Sequence, residues 1–121
     1  MKVNCIEQLK GCLKIPIIRH VDDRGFFKET WNQHEFNKTV GKNIQFVQDN
    51  NSLSHRHVLR GLHFQYLNPQ GKLVRVDYGS ILDVVVDLRQ SSETFKCWSS
   101  IKIASTSNFQ LWIPIGFAHG F

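Results

Sequence analysis

Apolar residues in this sequence come in short, often alternating runs set off by turn-forming residues, and this pattern limits the fold more than any other feature. The runs are Leu13 to Ile18, Gly25 to Trp31, Phe46 to Ser52, Val58 to Gln65, Leu73 to Tyr78, Ile81 to Leu88, Trp98 to Ile103 and Asn108 to Ile113. Brief period-two runs bounded by Gly, Pro, Asn and Ser are an all-β signature, because an amphipathic helix needs its 3.6-residue repeat sustained over several turns. One segment departs from this. Gln33 to Val40 reads as a short peripheral helix, with Asn32 able to cap its first turn, Glu35 three residues on as in a capping box, and Gly41 ending it.

A length of 121 residues fits one domain, expected to cover 1–121, with room for a real core but not for two independent ones. The chain is 41% apolar and 21% charged, without repeats or low-complexity tracts, so disorder is not expected. A net charge of +5 with a pI near 9.3 favours anionic ligands. The basic residues are scattered among Asp and Glu, which suits a small phosphorylated ligand better than nucleic acid. The 3 cysteines, Cys5, Cys12 and Cys97, show no C-x-x-C spacing and are too few for a disulfide scaffold, as expected in a reducing cytoplasm. No signal peptide or membrane span is read, since the longest apolar run, around Ile81 to Val86, is broken by Asp83.

Strand parity divides the candidate polar residues. In the run Ile81 to Leu88, period two places Leu82, Val84, Val86 and Leu88 on one face and Ile81, Asp83, Val85 and Asp87 on the other. Asp83 on that mixed face belongs either at the solvent or inside a ligand cavity of a sandwich or barrel. In Val58 to Gln65, straight alternation sends Arg60 and His63 to opposite faces. Gly61 lies between them, and a strand glycine often marks a bulge that re-aims its neighbours, so a shared site requires an irregularity there. Gln48 and Asn50 share one parity, as do Phe27 and Glu29, which permits each pair to line a pocket.

These residues sit in an ordered series of motifs: Asp22-Asp23-Arg24-Gly25-Phe26-Phe27-Lys28-Glu29, Gln48-Asp49-Asn50-Asn51-Ser52, Leu59-Arg60-Gly61-Leu62-His63-Phe64-Gln65, Gln70-Gly71-Lys72-Leu73-Val74, Leu82-Asp83-Val84-Val85-Val86-Asp87-Leu88-Arg89, and Ile113-Pro114-Ile115-Gly116-Phe117-Ala118-His119-Gly120-Phe121. Through them most of the chain resembles the dTDP-4-dehydrorhamnose 3,5-epimerase family of dTDP-L-rhamnose biosynthesis. That resemblance implies a cupin-type jelly roll and a homodimer in which part of the site comes from the second subunit. The implied reaction inverts the carbons on either side of a C4 ketone, converting dTDP-4-dehydro-6-deoxy-D-glucose to dTDP-4-dehydro-L-rhamnose. It needs a base for the acidified C–H and a cation for the enolate, and no cofactor or metal.

By the resemblance His63 is the base, since imidazole titrates near neutrality. Lys72, aided by Arg60, would stabilise the C4 oxyanion. His119 matches a substrate-binding position, with Asp83 as the carboxylate that fixes its tautomer. Arg24, Glu29, Gln48 and Asn50 match nucleotide-sugar-binding positions, the planar fork of Arg24 suiting a diphosphate. Without the motif, Arg24 beside Asp22 and Asp23 reads as a loop ion pair and Lys72 as a solvated residue beside a turn.

Members of the family continue beyond the Ala-His-Gly-Phe motif, where the resemblance places an acid tyrosine and the aspartate that orients the base. A chain ending at Phe121 is therefore expected to be a truncated form with impaired epimerisation, or a nucleotide-sugar-binding remnant. His55-Arg56-His57 has the H-x-H spacing with which many cupins hold a divalent metal, but no carboxylate follows nearby and the stretch reads as loop. Metal binding is the lesser alternative.

Overall fold

The computed structural model describes residues 1–3 and 5–121. In chain order the strands are β1 (Leu13–Pro16), β2 (Arg19–Asp22), β3 (Gly25–Lys28), β4 (Lys72–Val74), β5 (Ser80–Asp87), β6 (Trp98–Ala104), β7 (Phe109–Ile113) and β8 (Phe117–Gly120), with helix α1 (Gln33–Val40) between β3 and β4. Two compact units form. One joins Met1–Pro16 to Leu59–Phe121, and the other is Ile17–Val58.

The larger unit holds two antiparallel sheets, ordered β1-β7-β4 and β6-β5-β8. Of their central strands, β5 alternates in burial along its length, whereas β7 is buried continuously from Gln110 to Ile113. Val85 of β5, Ile103 of β6, Leu111 and Ile113 of β7 and Phe117 of β8 meet in one apolar cluster, closed below by Ile6, Leu9 and Cys12. Each of these large side chains contributes about 1.5–3 kcal/mol through burial. Burial also pushes the Cys12 thiol up to about 12, so it packs as a small hydrophobe and supplies no thiolate.

In the smaller unit β2 and β3 form a two-stranded hairpin in which Asp22 opposes Gly25. Helix α1 begins where the sequence places it, because the Asn32 side chain accepts from the Glu35 amide at 3.2 Å. It ends at Gly41, whose φ of 72° is the left-handed conformation of a helix C-cap. Phe36, buried on the helix, packs against Trp31 and Phe46 with ring centroids 5.0 and 5.5 Å away. The aromatic trio substitutes for a larger core.

Two expected strands do not form. Phe46 to Ser52 and Val58 to Gln65 run without sheet ladders apart from an isolated bridge at His63, and β4 is shorter than Leu73 to Tyr78. Residue type favours an extended chain, but only a neighbouring edge makes it a strand. Conversely, β2 and β8 form from stretches too short or too polar to announce themselves.

Strand β5 decides the open question about Asp83. Its mixed face is the buried one: Asp83, Val85 and Asp87 are fully inaccessible, whereas Leu82 on the apolar face is 59% exposed. Asp83 is not a solvated aspartate. Two carboxylates can point inward because each has partners there, His119 for Asp83 and Arg89, Ser92 and Thr94 for Asp87.

Candidate active site

The end of β8 assembles the site. Arg60 and Phe121 exchange both backbone hydrogen bonds, at 2.6 and 2.8 Å, and His63 and His119 do the same at 2.9 and 3.2 Å. Gly61 and Leu62 thus face Gly120 alone, two residues against one, which is a β-bulge. Directly opposed residues of an antiparallel pair share a face, and His119 and Phe121 are two apart. Arg60 and His63 consequently lie on one face, as the sequence requires of a common site, and the extra residue removes the parity conflict.

The bulge depends on missing side chains. Gly61 has φ +116°, and a Cβ there would sit 2.5 Å from the Cα of Gly120. A Cβ on Gly120 would sit 2.5 Å from the Arg60 carbonyl oxygen. Two backbones touch here with no room for a methyl group between them.

Lys72 arrives from the other sheet. It opens β4 opposite Ile113, the last residue of β7, and the turn Pro114 to Gly116 leads from there directly into β8. That short connection brings His63 and Lys72 into one shallow cleft, together with Gln65, Gln70 and Phe117. His63 is exposed and Lys72 half-buried, so both can meet a ligand.

Beside them, His119 is largely buried and its Nδ1 lies 3.3 Å from Oδ1 of Asp83. An imidazole nitrogen against a buried carboxylate is held in one orientation, with Nε2 left for other work. Oδ2 of Asp83 is buried with no hydrogen-bond partner among the described residues. It is an acceptor in reserve on the inner face.

The remaining candidates belong to the smaller unit. Arg24 lies in the exposed turn between β2 and β3, where its Nε and Nη2 donate to Oδ2 of Asp22 at 3.1 and 2.5 Å. This is the loop ion pair read as the ordinary alternative, and it holds the Asp22 carboxyl below its usual range. Glu29 is exposed just beyond β3. Gln48 donates from Nε2 to Oδ1 of Asn50 at 3.1 Å, so that pair does come together, though on irregular chain instead of a strand. His55 and His57 are exposed around a turn.

Sequence reasoning passed over Phe117, Gln65 and Gln70 as lining residues, and Arg89 behind them. Phe117 is an apolar residue in an apolar motif, and nothing local distinguishes a cleft wall from a core residue. Arg89 offered one signal, its place two residues after Asp87, because i, i+2 positions at a strand end can bring a carboxylate and a guanidinium together.

A jelly-roll-like pair of sheets with a histidine and a lysine in one cleft invites comparison with known proteins. The family model of dTDP-4-dehydrorhamnose 3,5-epimerase matches residues 7–121. The chain belongs to this family. It is 53% identical over 100 residues to the dTDP-4-dehydrorhamnose 3,5-epimerase of Pseudomonas aeruginosa, a match covering 83% of the chain and 55% of that protein. The crystal structure of the Bacillus anthracis enzyme, with TDP and PPi bound, superimposes with a TM-score of 0.87 at 41% identity, covering 96% of this chain and 67% of that one. The Legionella pneumophila enzyme in complex with dTDP-4-keto-L-rhamnose gives 0.84 at 40% identity, covering 91% and 64%. These likenesses assign the cupin-type jelly-roll fold of the epimerase family. The chain spans about half the length of the curated relatives it matches.

Proposed function

We propose that this member of the epimerase family carries the proton-abstraction chemistry of dTDP-4-dehydro-6-deoxy-D-glucose 3,5-epimerisation, as a sugar-nucleotide isomerase. The observation that carries the reading is the common cleft of His63 and Lys72. A C4 ketone acidifies the C–H bonds at C3 and C5. His63 takes the proton, the electron pair moves into the carbonyl, and the ammonium of Lys72 stabilises the resulting enolate oxygen. Arg60, on the same face as His63, adds positive charge beside it. His119, oriented by Asp83, is the substrate-binding imidazole.

In this reading Arg24, Glu29, Gln48 and Asn50 bind the nucleotide diphosphate, which requires Arg24 to exchange Asp22 for phosphate. That exchange is inexpensive, since water screens an exposed ion pair and competes for both partners. Relatives crystallised with TDP and with a dTDP-sugar support the ligand class. The protein works as a single domain, forms a homodimer and resides in the cytoplasm, a placement supported by three free cysteines. Among the described residues no helix is long and apolar enough to cross a membrane.

Incubation with dTDP-4-dehydro-6-deoxy-D-glucose in heavy water, followed by NMR, tests the chemistry. Deuterium is expected at C3 or C5, and His63→Ala is expected to lower incorporation at least about a hundredfold, the scale of a general base. No incorporation with excess wild-type protein overturns the reading. Calorimetric binding of dTDP without exchange would then favour a nucleotide-sugar-binding protein.

A further inference from the structure

The strongest group of buried charges outside the site lies directly behind the cleft. Asp87, fully buried, accepts from Arg89 Nε and Nη2 at 2.9 Å each, from Ser92 Oγ at 2.6 Å and from Thr94 Oγ1 at 2.6 Å. A second anchor comes from the N-terminal segment, where the Lys10 carbonyl accepts from Arg89 Nη2 at 2.5 Å. The guanidinium is thus fixed in position and in plane. Its carbon lies 4.4 Å from the centroid of the Phe117 ring, within cation–π range. A Cβ on Gly116 would collide with the Arg89 side chain, and the Leu88 amide donates to the Gly116 carbonyl at 3.1 Å.

Phe117 lines the cleft with His63 and Lys72, and Gly116 borders it. Phe117 also opposes Asp87 across the β5–β8 ladder, so clamp and cleft wall share one rung. From this contact set we infer that Arg89 is a positioning residue, which acts through Phe117 to hold the wall against which His63 and Lys72 meet the sugar. A planar cation pinned on its far side by a carboxylate and a carbonyl gives a rigid backing that an aliphatic side chain cannot provide. Displacement of a reacting group by a fraction of an ångström costs rate more than it costs affinity for the distant nucleotide. The inference rests on the proposed enolate chemistry of the same cleft.

A double-mutant cycle on the full chain tests it, using Arg89→Met, Phe117→Leu and their combination. Deuterium exchange into the sugar is expected to fall about tenfold in each single variant. The double variant should fall no further, because both changes break one contact, while dTDP affinity by calorimetry stays within twofold. Additive losses, exchange within twofold of wild type in Arg89→Met, or a parallel fall in dTDP affinity would overturn the inference. If Arg89→Met does not fold, Arg89→Lys carries the test, since it keeps the charge opposite Asp87 and loses the planar face; it should show the same non-additivity. The His63 ring-proton resonance supplies a readout independent of turnover: Arg89 and Phe117 variants should shift it alike. An unmoved resonance counts against Arg89 even if wild-type exchange is absent, whereas absent exchange with a moved resonance removes only the epimerase reading.

Discussion

Asp87 shows how a carboxylate becomes tolerable in a β core. Burial pushes its pKa up, yet hydrogen bonds from Arg89, Ser92 and Thr94 outweigh burial and hold it well below the usual carboxylate range. A folded pKa depressed in this way adds stability that is complete above the unfolded value, near 3.8, and fades as pH falls toward the folded one. Urea unfolding of wild type should therefore show a decline below about pH 4, and Asp87→Asn should flatten that limb while costing about 3 kcal/mol at pH 7. An equally steep acid limb in both proteins would show that Asp87 is not its source. Asp83 is the contrasting case, since it has one imidazole partner and a spare oxygen. Parity in the sequence put both aspartates on one face with Val85, but it could not say that this face is inside. The partners that make burial possible, His119 and Thr94, are 36 and 7 residues away.

Single elements were legible where their signals are local. The helix Gln33–Val40 follows from Asn32 and Gly41 because capping is a contact between near neighbours in sequence. The segment around His63 is the opposite case: its composition favours strand, but its geometry comes from β8 and the residue after it, where His119 and Phe121 supply two rungs and Gly120 lets the bulge form. Gly120→Ala should drive the chains apart, since the new methyl group would overlap the Arg60 carbonyl. The expected cost is about 1–3 kcal/mol, as for an overpacked interior. Hydrogen exchange of the His63 and His119 amides should accelerate together, and deuterium transfer to substrate should drop at least about tenfold. Protected amides at both positions in Gly120→Ala would show that the bulge does not need the glycine pair.

Across the whole molecule, the larger unit buries a continuous core between two sheets, whereas the smaller one leaves Val21, Phe26 and Phe27 more than half exposed on a two-stranded hairpin, with Ile18 exposed just before it. An isolated two-stranded hairpin is marginal in water, so this apolar surface suits the proposed homodimer. Sedimentation equilibrium should return twice the chain mass at micromolar concentration, and Phe27→Ser should shift the equilibrium toward monomer; a monomer at all concentrations would exclude the dimer. The sequence by itself determined the all-β class, the capped helix and the family, and supplied the residues proposed as base, oxyanion cation and phosphate ligand, because composition, alternation and ordered motifs are properties of the chain alone. Only the tertiary structure decided that Arg60 and His63 share a face, that Lys72 reaches the cleft of His63, that Asp83 is buried against His119, and that Arg89 backs Phe117. Each of these depends on which strands become neighbours and in what register, and register is fixed by the packing of distant segments together.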